Sequence, residues 1–386
     1  MNRLRDICGE FLSLVRKMDY GLLFSMAALS LASILTLAGG YDEFGIKRVL
    51  MQAGATVVGF VFMFLLAAVD YRTVAEKLSL YLYVGSVLLL GITLIFGTSE
   101  GENKSWLYLP LIPFGIQPSE FIKATFLLTF SYHLLLVRKR INKPKTLLGL
   151  GIHAGIIVGL ILLSGDLGVA LVYCGIIAVM LYFAGLNLWY FAGAAIAIAA
   201  AWPVIWNLLR QDQKQRILVG FNPDLDPLGK GFQPIKSRSA VANGGFFGRG
   251  IFGGSVYEEF SASHTDFIFG TFAEKFGFVG CLLLIGIYIF IVIRVLRLAK
   301  LTQNDCGSYI CVGFAAMIIV QATENIGMCL GMLPVIGITL PYMSYGGSSV
   351  LAIYITSGIL QSVAVHRNRL HIDHDIDHRG TLPRNL

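Results

Sequence analysis

The sequence predicts an all-α, polytopic membrane protein of about ten transmembrane helices, with a large extracytoplasmic loop between the seventh and eighth. Three observations lead there. Hydrophobic residues make up 56% of the 386 residues and charged residues only 14%, against about 25% charged in soluble domains. Mean hydropathy is +0.72. Ten separate apolar stretches approach the ~20 residues that a bilayer core requires. So little charge cannot clothe a water-exposed surface, which excludes a disordered chain, a secreted disulfide scaffold and a cytosolic enzyme. In such a chain the net charge of +7 marks cytoplasmic loops and not nucleic acid as a partner.

The stretches run roughly over 21–40, 49–69, 79–97, 119–137, 146–164, 166–186, 187–206, 266–296, 308–332 and 346–365. Lipid offers the backbone no hydrogen bonds, so each is a helix. The first is too long for a signal-peptide core and lacks a cleavage site, so it reads as a retained span. The connectors around the sixth are very short. The eighth is longer than a bilayer needs, which predicts tilt or projection beyond it. Residues 1–370 read as one integral-membrane unit. Residues 371–386 read as a disordered cytoplasmic tail, in which His371, His374 and His378 alternate with Asp373, Asp375 and Asp377; a metal site is the weaker reading. The cysteines form no CxxC pair and suggest neither disulfide framework nor metal.

Basic residues set the orientation. With both termini inside, the inner segments hold Arg16, Lys17, Arg72, Lys77, the Arg138–Lys145 cluster, Arg294, Arg297, Lys300 and Arg367. The short outer loops hold only Lys47, Arg48 and Lys104. Two outer segments, 98–118 and 207–265, are too long for turns, and long loops on a rigid scaffold concentrate function. The second is rich in Gly, Ser, Asn and basic residues, suited to an anionic ligand.

Ionisable residues within or at the mouths of membrane helices are costly and point to function. Glu120 and Lys123 open the fourth helix, three residues apart on one face; they read either as a structural ion pair or as a carboxylate holding a phosphate-gripping lysine. Ser119 stands as a possible cap there. Asp166, in SGDLG, reads equally as a helix cap or as a site carboxylate. Asp266, in SHTDFIF, has Ser263 and Thr265 as rival caps, yet it follows a glycine-rich loop and neighbours His264. Glu274, Lys275 and Glu324 complete the set. Glu120, Lys123, Asp166 and Asp266 all fall toward the outer face, so they are expected to converge on one outward-opening cavity.

GRGIFG at 248–253 matches G-x-G-x-x-G but lacks the strand and helix that a dinucleotide site needs. Pro334, Gly337, Pro341, Gly346 and Gly347 preclude a regular helix. That run is either an outer loop or a re-entrant wall, since irregular backbone at membrane depth must line protein or water.

Seven blocks, in order, carry a resemblance: Lys104-Ser105-Trp106, QPSEFIK, GDLG, DPLGKGFQ, NGGFFGRG, SHTDFIFGTFAEKFGFVG and NIGMCLGMLPVIGITLPYMSYGGSS. From about Asp19 to Arg367 the chain resembles the RodA/FtsW/SpoVE (SEDS) family. The resemblance implies a peptidoglycan glycosyltransferase of the bacterial cytoplasmic membrane that polymerises lipid II at the outer face. It also implies a class B penicillin-binding protein as partner and a divalent cation, Mg²⁺ or Mn²⁺. The essential aspartate falls on Asp266 and the paired charges on Glu120 and Lys123. Lys104, Asp166, Gln233, Ser237, His264, Ser344 and Ser348 fall within or beside these blocks on the substrate side. Lys275 and Ile336 depart from the usual pattern, and the elongation, division and sporulation members are not separated.

The chemistry suits the residues. Asp266 takes the proton of a sugar hydroxyl as it attacks an anomeric carbon. Lys123, Arg216 or a bound cation neutralises the departing diphosphate; Arg216 reads equally as a surface residue of an amphipathic loop helix. A weak cation site, with Asp266 or Glu120 as ligand and the rest from substrate phosphate, fits a sequence without a compact ligand cluster. A lipid flippase or transporter is the competing reading, although its charges belong near midplane; a non-catalytic scaffold of the wall-synthesis complex is the third.

Overall fold

The computed structural model describes residues 14–100, 103–108 and 114–367. The tail at 371–386 lies outside them. Ten long helices follow the apolar stretches: α1 (Tyr20–Ala38), α2 (Ile46–Ala68), α3 (Tyr71–Phe96), α4 (Pro118–Val137), α5 (Pro144–Leu163), α6 (Leu167–Phe183) and α7 (Leu188–Leu208), then α10 (Ile268–Leu301), α11 (Asp305–Cys329) and α12 (Gly347–His366). Two shorter helices, α8 (Gln211–Phe221) and α9 (Phe232–Gly244), lie in the long segment between α7 and α10. Eight of the ten are long and apolar enough to cross a membrane, and α6 and α7 are shorter apolar helices. The chain is an all-α membrane protein.

Local chemistry sets the helix ends. Asp19, Asp70, Asp166 and Asn304 each accept a backbone N–H of the first turn of α1, α3, α6 and α11, satisfying donors that a helix start leaves orphaned. The short connector after α5 closes as a Schellman turn: Gly165 takes φ 87°, and Asp166 N donates to Ile161 O at 3.3 Å. Glycine adopts that conformation without steric penalty.

α11 and α12 are the most enclosed helices, whereas α3 and α5 turn most of their surface outward. Small residues let the inner helices approach. A Cβ at Gly59 of α2 would stand 2.7 Å from the Tyr354 ring of α12, and the Tyr354 hydroxyl shares a 2.7 Å hydrogen bond with Ser30 of α1.

Two features depart from the sequence expectation, and a third decides between two readings left open there. Segment 98–118 begins with a small hairpin, Thr98–Glu100 paired antiparallel with Asn103–Trp106. The long eighth span is not one rod: Gly277 has φ 67° and ψ −169°, so α10 is two helical limbs around a break. Its position is dictated by crowding, since a Cβ at Gly277 would stand 2.2 Å from Gly248 N. The proline- and glycine-rich run after α11 is a buried wall and not a surface loop, with Ile338, Leu340, Tyr342 and Met343 all enclosed.

Candidate active site

Asp266 lies just before α10. None of the rival caps is used there: the N-cap position is Phe267 and no side chain caps the helix. The Thr265 hydroxyl instead donates to Ala262 O at 3.4 Å. Among the described residues the Asp266 carboxylate accepts no hydrogen bond. Its main chain is held firmly. Buried Asn325 of α11 donates to Asp266 O at 2.6 Å and to Ile338 O at 2.7 Å. Ser344 donates to Thr265 O at 2.8 Å while accepting from Leu340 N at 2.8 Å. Tyr345 N donates to His264 O at 3.0 Å. The irregular wall and the segment bearing Asp266 are thus stitched together from both sides.

The carboxyl faces a cavity of about 300 Å³ lined by Arg216 and Val219 of α8, by Lys230 and Gln233, and by Val335 and Gly337 of the wall. Burial first, and then nearby Asp166, raise the Asp266 carboxyl to about 6 against an opposing pull from Arg216. A carboxylate so tuned is a proton acceptor near neutral pH. Gly337, at φ 71°, lies directly beside the carboxyl, where a Cβ would make ordinary contact with Asp266 Oδ2 at 3.5 Å.

Glu120 and Lys123 do not share that cavity. Their side chains touch at 2.7 Å and are nearly enclosed, and they line a separate recess of about 10 Å³ with Gln321 and the Thr339–Tyr342 stretch. That is room for about one water. Of the four charges expected to converge, Asp266 lines the larger cavity, Glu120 and Lys123 line the smaller recess, and Asp166 lines neither. Ser119 is not the cap of α4; Gln117 occupies that position, Pro118 begins the helix and the Ser119 hydroxyl is buried without a partner.

Asp166 lies between the two recesses electrostatically. It caps α6 through Val169 N at 3.1 Å and accepts from Gln117 Nε2 at 2.8 Å, and its charge is felt at Asp266. Arg216 is half-buried on α8 and Gln233, whose amide donates to Ser261 Oγ at 3.3 Å, joins it at the larger cavity. The remaining sequence candidates stand elsewhere. Lys104 is exposed on the hairpin and donates to Ile95 O at 3.2 Å. Ser237 is buried against α11, donating to Cys329 O at 3.1 Å. Ser348 accepts from Gln117 N at 3.0 Å, so it and Ser344 are latches. The His264 ring packs between Phe44 and Tyr345; burial and then Arg48 push its pKa down to about 4, which keeps it neutral.

Sequence reasoning did not single out Lys230 or Asn325, although both lie in quoted blocks. It also left Glu274 and Lys275 without a task. Glu274 accepts from Asn243 Nδ2 at 2.6 Å and from Ser255, Val256 and Tyr257 N at 3.1, 3.1 and 3.0 Å. Lys275 Nζ donates to Gly39 O and Ile251 O, both at 3.0 Å, above the Tyr257 ring. Together they fasten the glycine-rich loop to α10. The GRGIFG segment is part of that loop, where Gly250 N donates to Lys275 O at 3.0 Å.

The chain as a whole is similar to known proteins. The model of the FtsW/RodA/SpoVE cell cycle proteins matches residues 11–369. The chain belongs to the FtsW/RodA/SpoVE family. Within it, the chain is 33% identical over 365 residues to the peptidoglycan glycosyltransferase MrdB of Escherichia coli K12, covering 92% of this chain and 95% of that protein. It is 35% identical over 325 residues to stage V sporulation protein E of Bacillus subtilis, covering 82% and 86%. A solved chain from a peptidoglycan synthase complex that coordinates polymerization and crosslinking superposes with a TM-score of 0.80 at 30% identity, over 91% of this chain and 99% of that one.

Proposed function

We propose that this family member is a peptidoglycan glycosyltransferase that polymerises lipid II at the outer face of the cytoplasmic membrane. The observation that carries the reading is the Asp266 carboxylate, which accepts no hydrogen bond among the described residues and faces a cavity of about 300 Å³ beside Arg216 and Lys230. In the step we envisage, Asp266 accepts the proton of the attacking sugar hydroxyl. The new bond forms from that oxygen to the anomeric carbon, with inversion, as the bond to the diphosphate oxygen breaks and the lipid diphosphate leaves with the electron pair. Arg216 and Lys230 line that cavity, and a cation facing the leaving group would offset its developing charge. Glu120, Lys123 and Asn325 act through position, bracing the wall and the Asp266 segment.

A divalent cation fits this donor set as a weak guest. Glu120 is committed to Lys123, which leaves the Asp266 carboxylate as the protein oxygen, completed by substrate phosphate. When bound, the ion would offset charge on the diphosphate. Ten crossings, both termini cytoplasmic and residues 207–265 outside complete the topology, supported by the distribution of Lys and Arg. A class B penicillin-binding protein is the proposed partner, since a homologous chain occurs in a synthase complex that also crosslinks.

The test is lipid II polymerisation by the purified protein in membranes, with and without a crosslinking partner. Asp266→Asn is expected to lose about 10²-fold or more in rate with an unchanged melting temperature. Near wild-type polymerisation by that variant would remove Asp266 as the base.

A further inference from the structure

A recess of about 390 Å³ lies far along the chain from the reaction cavity, where the entry to α1 meets α10 and the end of α12. Arg16, Lys17, Arg294 and Arg367 line it, with Asp19 as the carboxylate among them. That carboxylate is already engaged. Both its oxygens accept from Arg294 Nε, each at 2.9 Å, and one also caps α1 through Leu22 N at 3.1 Å.

The platform beneath is rigid. Fully buried Gln361 accepts from Asp19 N at 2.9 Å and returns a hydrogen bond to Asp19 O at 3.2 Å. Gly21 leaves room for the guanidinium, since a Cβ there would stand 3.3 Å from Arg294 Nε. Arg294 is therefore held by one edge, while its side chain remains 41% exposed. A guanidinium has five N–H donors in a fork that matches phosphate oxygens, so a group held at Nε is oriented for an anion.

We propose that this recess binds the phosphate of an anionic phospholipid, in the leaflet on the side of the chain termini. Cations that merely obey the orientation rule need neither a concave site nor a fixed guanidinium. The rest of the lining is Met18, Tyr20, Ala364 and Val365. A soluble phosphate shares the headgroup's charge but has no use for that apolar wall, whereas the glycerol and upper acyl chain of a lipid do. Basic pockets between helix ends are suited to such headgroups, and Tyr20, 44% exposed, has the amphipathic ring favoured at the membrane interface.

The experiment uses the full chain, purified and delipidated, then offered phosphatidylglycerol, phosphatidylethanolamine or inorganic phosphate and read by native mass spectrometry. Phosphatidylglycerol is expected to be retained over phosphatidylethanolamine. The variants Arg16→Gln, Lys17→Gln and Arg367→Gln should each weaken that retention about fivefold. Arg294→Lys, which keeps the charge but removes the fork, should lose the preference as well. Equal retention of the two lipids, or full retention by the triple Gln variant, would overturn the site. Displacement of phosphatidylglycerol by excess inorganic phosphate would reassign it to a soluble anion and overturn the lipid.

Discussion

The ammonium of Lys123 and the carboxylate of Glu120 touch at 2.7 Å, and neither side chain is more than 8% exposed. Breaking such a pair leaves one charge stranded where water cannot reach it, at a cost of about 3 kcal/mol or more. Glu120→Gln and Lys123→Met should therefore each abolish most polymerisation, and the double variant should be little worse than either. Activities from all four proteins form the cycle; additive losses would mean that the two charges act independently.

Polymerisation should depend on pH through Asp266. The base must be deprotonated, so the rate should rise with pH through about 6 and then level off. Asp166 adds repulsion that raises this value and Arg216 lowers it. Asp166→Asn, which preserves a capping side chain, should move the acidic limb to lower pH. Arg216→Gln should move it to higher pH. A limb unmoved by both variants would detach the profile from Asp266.

Glu274 satisfies the N–H groups of Ser255, Val256 and Tyr257. Glu274→Ala leaves them without that acceptor, with a penalty of about 1–3 kcal/mol at the buried Tyr257 N–H and less at the two more exposed ones. A fall in melting temperature together with protease sensitivity within 249–257 is expected. A stable, protease-resistant variant would show that the loop is held by Lys275 alone.

Excess EDTA should lower polymerisation, and Mg²⁺ or Mn²⁺ in roughly the millimolar range should restore it, as expected for a hard ion held by one carboxylate and substrate phosphate. Full activity in EDTA would leave Arg216 and Lys230 as the sole counter-charges.

The ten long helices were legible because lipid imposes one rule on every crossing, and hydropathy records it directly. Strands of three and four residues, Thr98–Glu100 and Asn103–Trp106, carry no comparable periodicity. The site was legible as residue types but not as partnerships. Ser344 and Ser348 look like substrate ligands in a list of hydroxyls. Their partners are backbone atoms of Thr265 and Gln117, 79 and 231 positions away, and no local pattern announces them. Asp166 and Asp266 look alike in sequence, each an acid at a helix mouth. Only the observed turn shows that the first spends its carboxylate on capping and the second does not. Likewise, spacing places Glu120 and Lys123 on one face, while the wall that lines both their recess and the Asp266 cavity is built by residues 330–346, far along the chain.

The break at Gly277 has a mechanical meaning. A continuous α10 would transmit every tilt of its lipid-facing limb to the turn that carries Asp266. At the break Phe278 N and Val279 N donate instead to Gly245 O and Phe246 O, at 2.9 and 3.1 Å, so the start of the longer limb is tied to the same glycine-rich loop that Glu274 and Lys275 hold. A tilt of the longer limb is therefore borne by that loop before it reaches the turn that carries Asp266.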